Sequence, residues 1–449
     1  MSGIAELSLK LGFAVGGCDL RESAVTRRLA SLGAQIEIGH HPSHIASTLD
    51  AIVISSAVKF SNPEVVRARE MKIPVIARAE MLGELLRMAK LSVAVAGTHG
   101  KTTTTGLVAL ILEEAGLDPT VAIGGHIRNS GTNVRLGNGD FMVAEADESD
   151  ASFLLLLPTV AIVTNIDPEH LDHYGNMDRV REAFLNFVNR IPFYGVAVLG
   201  IDNTNVRGLL AQVRKPVVTY GIAADANLRA EKIVIDGLST RFEVIRDGNP
   251  LGAVAIPSPG THVAMNSLAA IAVGLELGID FAVCARALAK FGGIQRRFEI
   301  KGEKAGRIVL DDYAHHPAEV RATLAAARAA FKRRVVAVFQ PHRFTRLRDL
   351  FEEFLGAFDD AGVLFLLDIY PAGEDPIPGV SSRRLYEAMR ARGHLEVHYV
   401  DRSMSPAREI AKASRQGDLI VTLGAGDINK LGDEVLSALT DEANIHERA

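Results

Sequence analysis

The segment Val93-Ala94-Val95-Ala96-Gly97-Thr98-His99-Gly100-Lys101-Thr102-Thr103-Thr104-Thr105 joins an apolar run to a glycine turn, a lysine and a row of hydroxyls. A helical pattern, Leu107 to Ala115, follows at once. Strand, loop and helix in that order aim backbone N–H groups at an anion. Lys101 adds a mobile positive charge, and the Thr102 hydroxyl suits a magnesium ion. Nucleoside triphosphate binding is the chemistry these residues support, with Gly97, Thr98, His99, Gly100, Lys101, Thr102 and Thr103 around the phosphates. The common phosphate loop has a glycine about five residues ahead of the glycine that precedes lysine. Here that position is Val95, and the first glycine is Gly97.

Two further segments place polar groups behind apolar runs. Glu145-Ala146-Asp147-Glu148-Ser149-Asp150 follows Phe141–Ala144. Strand ends are where open α/β sheets bind ligands, and a carboxylate there suits magnesium. Asn165-Ile166-Asp167-Pro168-Glu169-His170 repeats the arrangement after Val160–Thr164. Histidine is not a usual magnesium ligand, so His170 alone reads equally as a hydrogen-bonded loop residue. Later in the chain, Gln295-Arg296-Arg297, Asp311-Asp312-Tyr313-Ala314-His315-His316 and Gln340-Pro341-His342-Arg343-Phe344-Thr345-Arg346 are rich in forks and rings. Arginine forks suit carboxylates and phosphates, so these clusters read as a site for an anionic substrate.

Strand-like and helix-like runs alternate throughout, which predicts an α/β fold in three domains. Residues 1–89 form a Rossmann-like unit, with strands at Phe13–Gly16, Gln35–Ile38, Ala51–Ser55 and Pro74–Ile76. Met1 to Glu6 reads as a helix start, whereas a doubly wound sheet has a strand and glycine turn before such a helix. The expectation is a first domain missing its first strand, through truncation or a misplaced start codon. Residues 90–296 form a P-loop ATPase-like α/β domain with a β-rich insert, Leu228 to Ile256. Residues 297–449 form a C-terminal Rossmann-like α/β domain, after a Gly292-Gly293 hinge.

The 449 residues are 48% hydrophobic, enough for several cores. A net charge of −5 argues against a general nucleic-acid partner or stable membrane association. Cys18 and Cys284 form no metal or redox sequence motif and read as reduced thiols of a cytoplasmic protein. Oligomeric state is not legible.

The Gly-Thr-His-Gly-Lys-Thr-Thr-Thr run and the ordered motifs after it resemble the Mur ligases, which make bacterial wall precursors. The resemblance spans nearly the whole chain and is nearest the alanine-adding members. It implies ATP-dependent joining of L-alanine to the lactyl carboxyl of UDP-N-acetylmuramate, through an acyl phosphate. ATP would meet the loop, Asn266, Arg297 and Asp312, the last at the ribose. Magnesium would be held by Thr102, Glu145 and His170. Tyr313, His315, Arg343 and Arg346 would surround the amino acid and reacting carboxyl, with Lys101, His170, His315, Arg343 and Arg346 catalytic. Ser55, Ser56, His126 and Asn133 would contact the sugar nucleotide, held by the first domain. Some members use a carbamylated lysine beyond the histidine, but no lysine lies between Asp167 and Arg214. The family more often has asparagine directly after the histidine of the adenine loop; Val263 departs from this and weakens a role for His262. Two rival readings are a ligase for a preformed murein tripeptide and a nucleotide-switch ATPase.

Overall fold

The computed structural model describes residues 1–55, 57–123, 134–393, 396–401 and 404–446. Two compact units emerge: residues 1–226 with 269–284, and residues 227–268 with 285–449. Ser56, His126 and Asn133 lie outside the described residues.

The first unit opens with α1 (Ser2–Lys10), then β1 (Gly16–Asp19), α2 (Ala24–Ser31), β2 (Gln35–Ile38), β3 (Ile52–Ile54), α3 (Pro63–Glu70), β4 (Val75–Ala77) and α4 (Arg78–Met88). The strands form two separate parallel pairs, β1 with β2 and β3 with β4. The first strand lies later than its apolar run suggests. Pairing starts with Gly16 opposite Gln35, and Phe13 is left exposed. A strand is bounded by where its backbone finds a partner, and hydrophobicity alone does not locate that point.

Seven strands follow: β5 (Leu91–Ala96), β6 (Thr120–Ala122), β7 (Val134–Arg135), β8 (Phe141–Glu145), β9 (Val160–Val163), β10 (Val196–Gly200) and β11 (Val217–Gly221). Their order is β11-β10-β9-β5-β8-β6-β7, parallel throughout except for β7. Val160-Ala161-Ile162-Val163 is buried at every position, the pattern of a parallel strand covered on both faces. Helices α5 (Lys101–Glu114), α6 (Leu171–Tyr174), α7 (Met177–Asn189) and α8 (Thr204–Leu209) connect these strands. Phe153, Phe184 and Phe187 anchor the core, and Leu7 of α1 with Leu85 and Leu86 of α4 belongs to the same cluster. The first ninety or so residues therefore share a hydrophobic core with the phosphate-loop sheet.

In the second unit β12 (Leu228–Asp236), β13 (Ser239–Arg246) and β14 (Asn249–Ile256) form an antiparallel meander, turning at Asp236-Gly237 and Asp247-Gly248. Helices α9 (Thr261–Glu276) and α10 (Phe281–Ala289) come next in the chain. A six-stranded sheet follows, built from β15 (Glu299–Lys304), β16 (Arg307–Asp312), β17 (Val335–Phe339), β18 (Val363–Leu367), β19 (Glu396–Val400) and β20 (Leu419–Leu423). Its order is β15-β16-β20-β17-β18-β19, with only β15 antiparallel to its neighbour. The β15 sequence, Glu-Ile-Lys-Gly-Glu-Lys, is polar at nearly every position, so it gives no strand signal of its own. Helix α11 (Pro317–Phe331) packs on β12, β17 and β20, and α12 (Phe344–Asp349) follows β17. No described helix is long and apolar enough to cross a membrane.

Candidate functional site

The phosphate loop leaves β5, which lies between β8 and β9. Acids following β8 and polar residues following β9 are thereby brought to either side of it. Gly97 has φ of 133°, and a Cβ there would lie 2.0 Å from Thr164 Oγ1, so the loop admits no side chain at this point. The loop is pinned to the next strand end. Thr164 Oγ1 donates to the His99 carbonyl at 2.6 Å, His99 N donates to Asn165 Oδ1 at 2.8 Å, and Asp167 N donates to Thr98 Oγ1 at 2.9 Å. His99 Nε2 lies 3.3 Å from Asp167 Oδ2.

Lys101 is folded back over this loop. Its Nζ donates to the Gly97 carbonyl at 2.6 Å and to Glu148 Oε1 at 2.9 Å. Burial alone would lower the Lys101 pKa, but the charges of Glu148, Glu145 and Asp147 outweigh it and hold the ammonium above lysine's ordinary range. Burial pushes the Glu148 carboxyl up to about 7, against the pull of Lys101. Glu148 is 3% exposed, its Oε2 finds no hydrogen-bond partner, and its backbone carbonyl accepts from Tyr174 Oη at 2.6 Å. Sequence reasoning missed Glu148 as the lysine's partner; its only signal is a second acid in the Glu-Ala-Asp-Glu run.

Thr102 Oγ1 lies 3.1 and 3.0 Å from the two Glu145 oxygens. Neighbouring ligands around magnesium, each at about 2.0–2.1 Å from the ion, are separated by about 2.9 Å. This oxygen pair therefore fits the ion with little movement. His170 caps α6 with φ of 55°, a left-handed conformation that disfavours a side chain and needs support from its surroundings. It stands in the loop after β9, on the other side of β5 from Glu145.

A second constellation forms at the carboxyl ends of β16, β17 and β18. The Arg296 and Arg297 guanidiniums stand over the Tyr313 ring at 4.9 and 5.1 Å. Tyr313 meets His315 edge-on at 5.3 Å, His315 lies 5.8 Å from His342, and His342 stacks on Tyr370 at 5.5 Å. An Arg346 guanidinium nitrogen, Nη1, lies 3.0 Å from His342 Nδ1 and donates to the His342 carbonyl at the same distance. His315 Nδ1 lies 2.9 Å from the Tyr313 carbonyl and 3.3 Å from Glu319 Oε2, both acceptors, so Nδ1 carries a ring proton. Arg343 has φ of 71° and no acid partner among the described residues. Asp312 uses both oxygens internally, accepting from Phe298 N at 2.7 Å and Ala314 N at 2.8 Å, while burial pushes its carboxyl up to about 6. Tyr370 and Glu319 are members that the sequence reading missed. Of the remaining expected residues, Asn266 is buried on α9, Thr103 is half-buried in the first turn of α5, and Ser55 follows β3.

Fold and site together define a P-loop-type α/β protein with a separate cationic, aromatic-lined cluster. The chain belongs to the Mur ligase family: residues 1–90 match the Mur ligase family catalytic domain, 95–274 the Mur ligase middle domain, and 296–426 the Mur ligase glutamate ligase domain. A UDP-N-acetylmuramate--L-alanine ligase of an Anaeromyxobacter strain is 55% identical over 98% of this chain and 95% of its own length. The Myxococcus xanthus protein of that name is 52% identical over 98% of this chain and 93% of its own length. The crystal structure of the Thermotoga maritima UDP-N-acetylmuramate-alanine ligase superposes with a TM-score of 0.78 at 28% identity, covering 98% of this chain and 97% of that one. A murein peptide ligase from Psychrobacter arcticus gives 0.66 at 25% identity, covering 98% and 96%.

Proposed function

We propose that this chain joins L-alanine to the lactyl carboxyl of UDP-N-acetylmuramate at the expense of ATP, in peptidoglycan precursor synthesis. The observation that carries this reading is the 55% identity to an alanine ligase across 98% of the chain. The substrate carboxylate attacks the γ-phosphorus, ADP leaves, and an acyl phosphate forms. The alanine amine then attacks the acyl carbon, phosphate leaves, and the amine gives up a proton. Such chemistry asks the protein chiefly for positioning and charge neutralisation.

In the first unit, Lys101 exchanges its Glu148 contact for phosphate oxygens as the nucleotide arrives, and the α5 N-terminus receives the same charge. Thr102 and Glu145 would hold magnesium, with His170 joining them by family resemblance; the ion would supply neutralisation of the phosphate oxygens. In the second unit, Arg343 and Arg346 neutralise the carboxylate of alanine and the developing oxyanion. His315, its Nδ1 directed at the Tyr313 carbonyl, presents Nε2 as acceptor for the amine proton.

Incubation with ATP, magnesium, UDP-N-acetylmuramate and either L-alanine or the murein tripeptide tests the reading by product mass. Formation of the alanyl product, with ADP in equal amount, is expected. Efficient coupling of the tripeptide with none of alanine would replace it with the peptide-ligase reading, and ATP hydrolysis independent of the sugar nucleotide would replace it with a nucleotide switch.

A further inference from the structure

A thiol, two imidazoles and a carboxylate converge in the first ninety residues, away from the groups used above. Cys18 is in β1, His40 and His44 follow β2, and Glu64 lies in the first turn of α3. Cys18 Sγ donates to Glu64 Oε2 at 2.9 Å and lies 3.2 Å from His40 Nδ1. His40 Nδ1 lies 2.8 Å from the same carboxylate oxygen, and His44 Nδ1 lies 2.7 Å from Oε1, the other. Glu64 is 6% exposed. One donor atom each from Cys18, His40 and Glu64 falls within 4.8 Å of the others.

The donor types decide what such a cluster can hold. Magnesium takes oxygen, as offered by Thr102 and Glu145. A sulfur, a nitrogen and one carboxylate oxygen suit a borderline-soft ion of the zinc class instead. We propose that Cys18, His40 and Glu64 form a binding site for a zinc-class divalent cation, with His44 holding the other oxygen of Glu64 as an outer partner.

Zinc stands about 2.3 Å from sulfur and about 2.0–2.2 Å from nitrogen or oxygen, so tetrahedral donors lie about 3.5 Å apart. The present separations of 2.8, 2.9 and 3.2 Å must open by about 0.3–0.7 Å. Cys18 and His40 are only partly buried and have room to do so. On binding, a metal–sulfur bond forms as the S–H bond breaks and that proton leaves to solvent, while the His40 proton on Nδ1, which faces Glu64, is exchanged through solvent for one on Nε2 so that Nδ1 can ligate. The cation also replaces hydrogen bonds that meet on one buried carboxylate. Nearby charge favours it, because Asp19 adds a second negative group beside the thiol. The neighbouring His41 is engaged elsewhere, its Nδ1 lying 2.7 Å from Ser43 Oγ. A bound ion would tie together β1, the loop after β2 and α3.

The test is titration of the chelator-treated full chain with Co2+, in excess Mg2+ and without nucleotide. One equivalent should bind with a thiolate-to-cobalt charge-transfer band and tetrahedral d–d bands, one proton should be released, and added Zn2+ should abolish the bands. Cys18→Ser should remove the charge-transfer band and weaken binding by more than about a hundred-fold, since loss of outer-shell partners alone costs about ten- to a hundred-fold. Cys284→Ser should change neither. Absence of the charge-transfer band, its survival in Cys18→Ser, or undiminished affinity in His40→Ala and Glu64→Gln would each overturn the proposal. Cys18→Ser is nearly isosteric, and its circular dichroism reports whether the fold is intact. No nucleotide or amino acid is present, so the outcome is independent of the ligase reading.

Discussion

Lys101 and Glu148 form a buried pair whose charges depend on each other, and that dependence gives the phosphate loop its testable properties. Lys101→Ala should leave a folded protein with ligation slowed on the order of a hundred- to a thousand-fold, as for loss of one transition-state charge contact. Steady-state assay beside circular dichroism checks it; near-normal turnover would remove Lys101 from the site. Glu148→Gln keeps the side-chain shape but removes the acid in direct contact with the ammonium, leaving only the more distant charges of Glu145 and Asp147. Breaking a buried pair typically costs about 3–5 kcal/mol. The apo Tm should fall, and a non-hydrolysable ATP analogue should raise it more than in the parent protein, because phosphate oxygens take over from the carboxylate. Equal ligand-induced shifts in both proteins would show that Lys101 does not turn to phosphate. Asp312 adds a pH dependence. Its carboxyl rises from 3.8 to about 6 on folding, so the folded state takes up the proton first. That contribution is fully present below pH 3.8, is lost as pH rises through about 6, and amounts to about 3 kcal/mol at most. Asp312→Asn should therefore flatten the fall in stability across this window. Denaturant titrations at several pH values decide it; parallel curves would contradict the role of burial there. The loop residues were legible in sequence because glycine, lysine and threonine act on phosphate through local backbone geometry. Glu148, Glu319 and Tyr370 were not, because the fold selects them from many acids and rings at long sequence separation.

At the level of elements, most strands of the two large sheets could be located from apolar runs, since a parallel strand buried on both faces has to be apolar. β15 escaped notice because an edge strand tolerates polar residues, and β1 was misplaced because its pairing starts after the apolar run has ended. Helix α4 shows a packing constraint that pattern cannot reveal. Gly83 lies in its interior, where alanine would ordinarily stabilise by roughly 0.5–1 kcal/mol. Here a Cβ would sit 2.4 Å from the Leu155 carbonyl oxygen, a backbone atom of the turn Ser152–Leu155. Overpacking against backbone costs about 1–3 kcal/mol, which outweighs the helix-propensity gain. Gly83→Ala should lower stability and Gly208→Ala, with nothing within 4 Å of its Cβ, should not. Thermal unfolding of the two variants side by side measures the difference. A rise in Tm for Gly83→Ala would mean that α4 stands farther from that turn.

Across the whole molecule, burial is distributed unevenly, and function should follow that distribution. β5 is buried at all but its first position, and β9, β17, β18 and β20 are buried at every position. No residue of β1, β2, β3 or β4 is buried to that degree, and the four stand in two separate pairs. Two-stranded sheets are marginal by themselves, and opening free energies follow buried contact. What steadies these pairs is helical: α1 packs on α2 and α4, and Leu7, Leu85 and Leu86 reach the phosphate-loop core. Amides of β1–β4 should therefore exchange with solvent at free energies several kcal/mol below those of β5, β9, β17 and β20. Ligands that bind the native state add protection where they bind. An ATP analogue should slow exchange in the loop Gly97–Gly100 and the first turn of α5, leaving β1–β4 nearly unchanged. UDP-N-acetylmuramate should slow exchange in β1–β4, because the family resemblance implies that the first ninety residues hold it. Hydrogen exchange read by mass spectrometry, with each ligand alone and then with both, separates the two effects. Protection of β1–β4 by the ATP analogue alone, with none from the sugar nucleotide, would move the sugar-nucleotide site out of this part of the chain while leaving the phosphate loop as described.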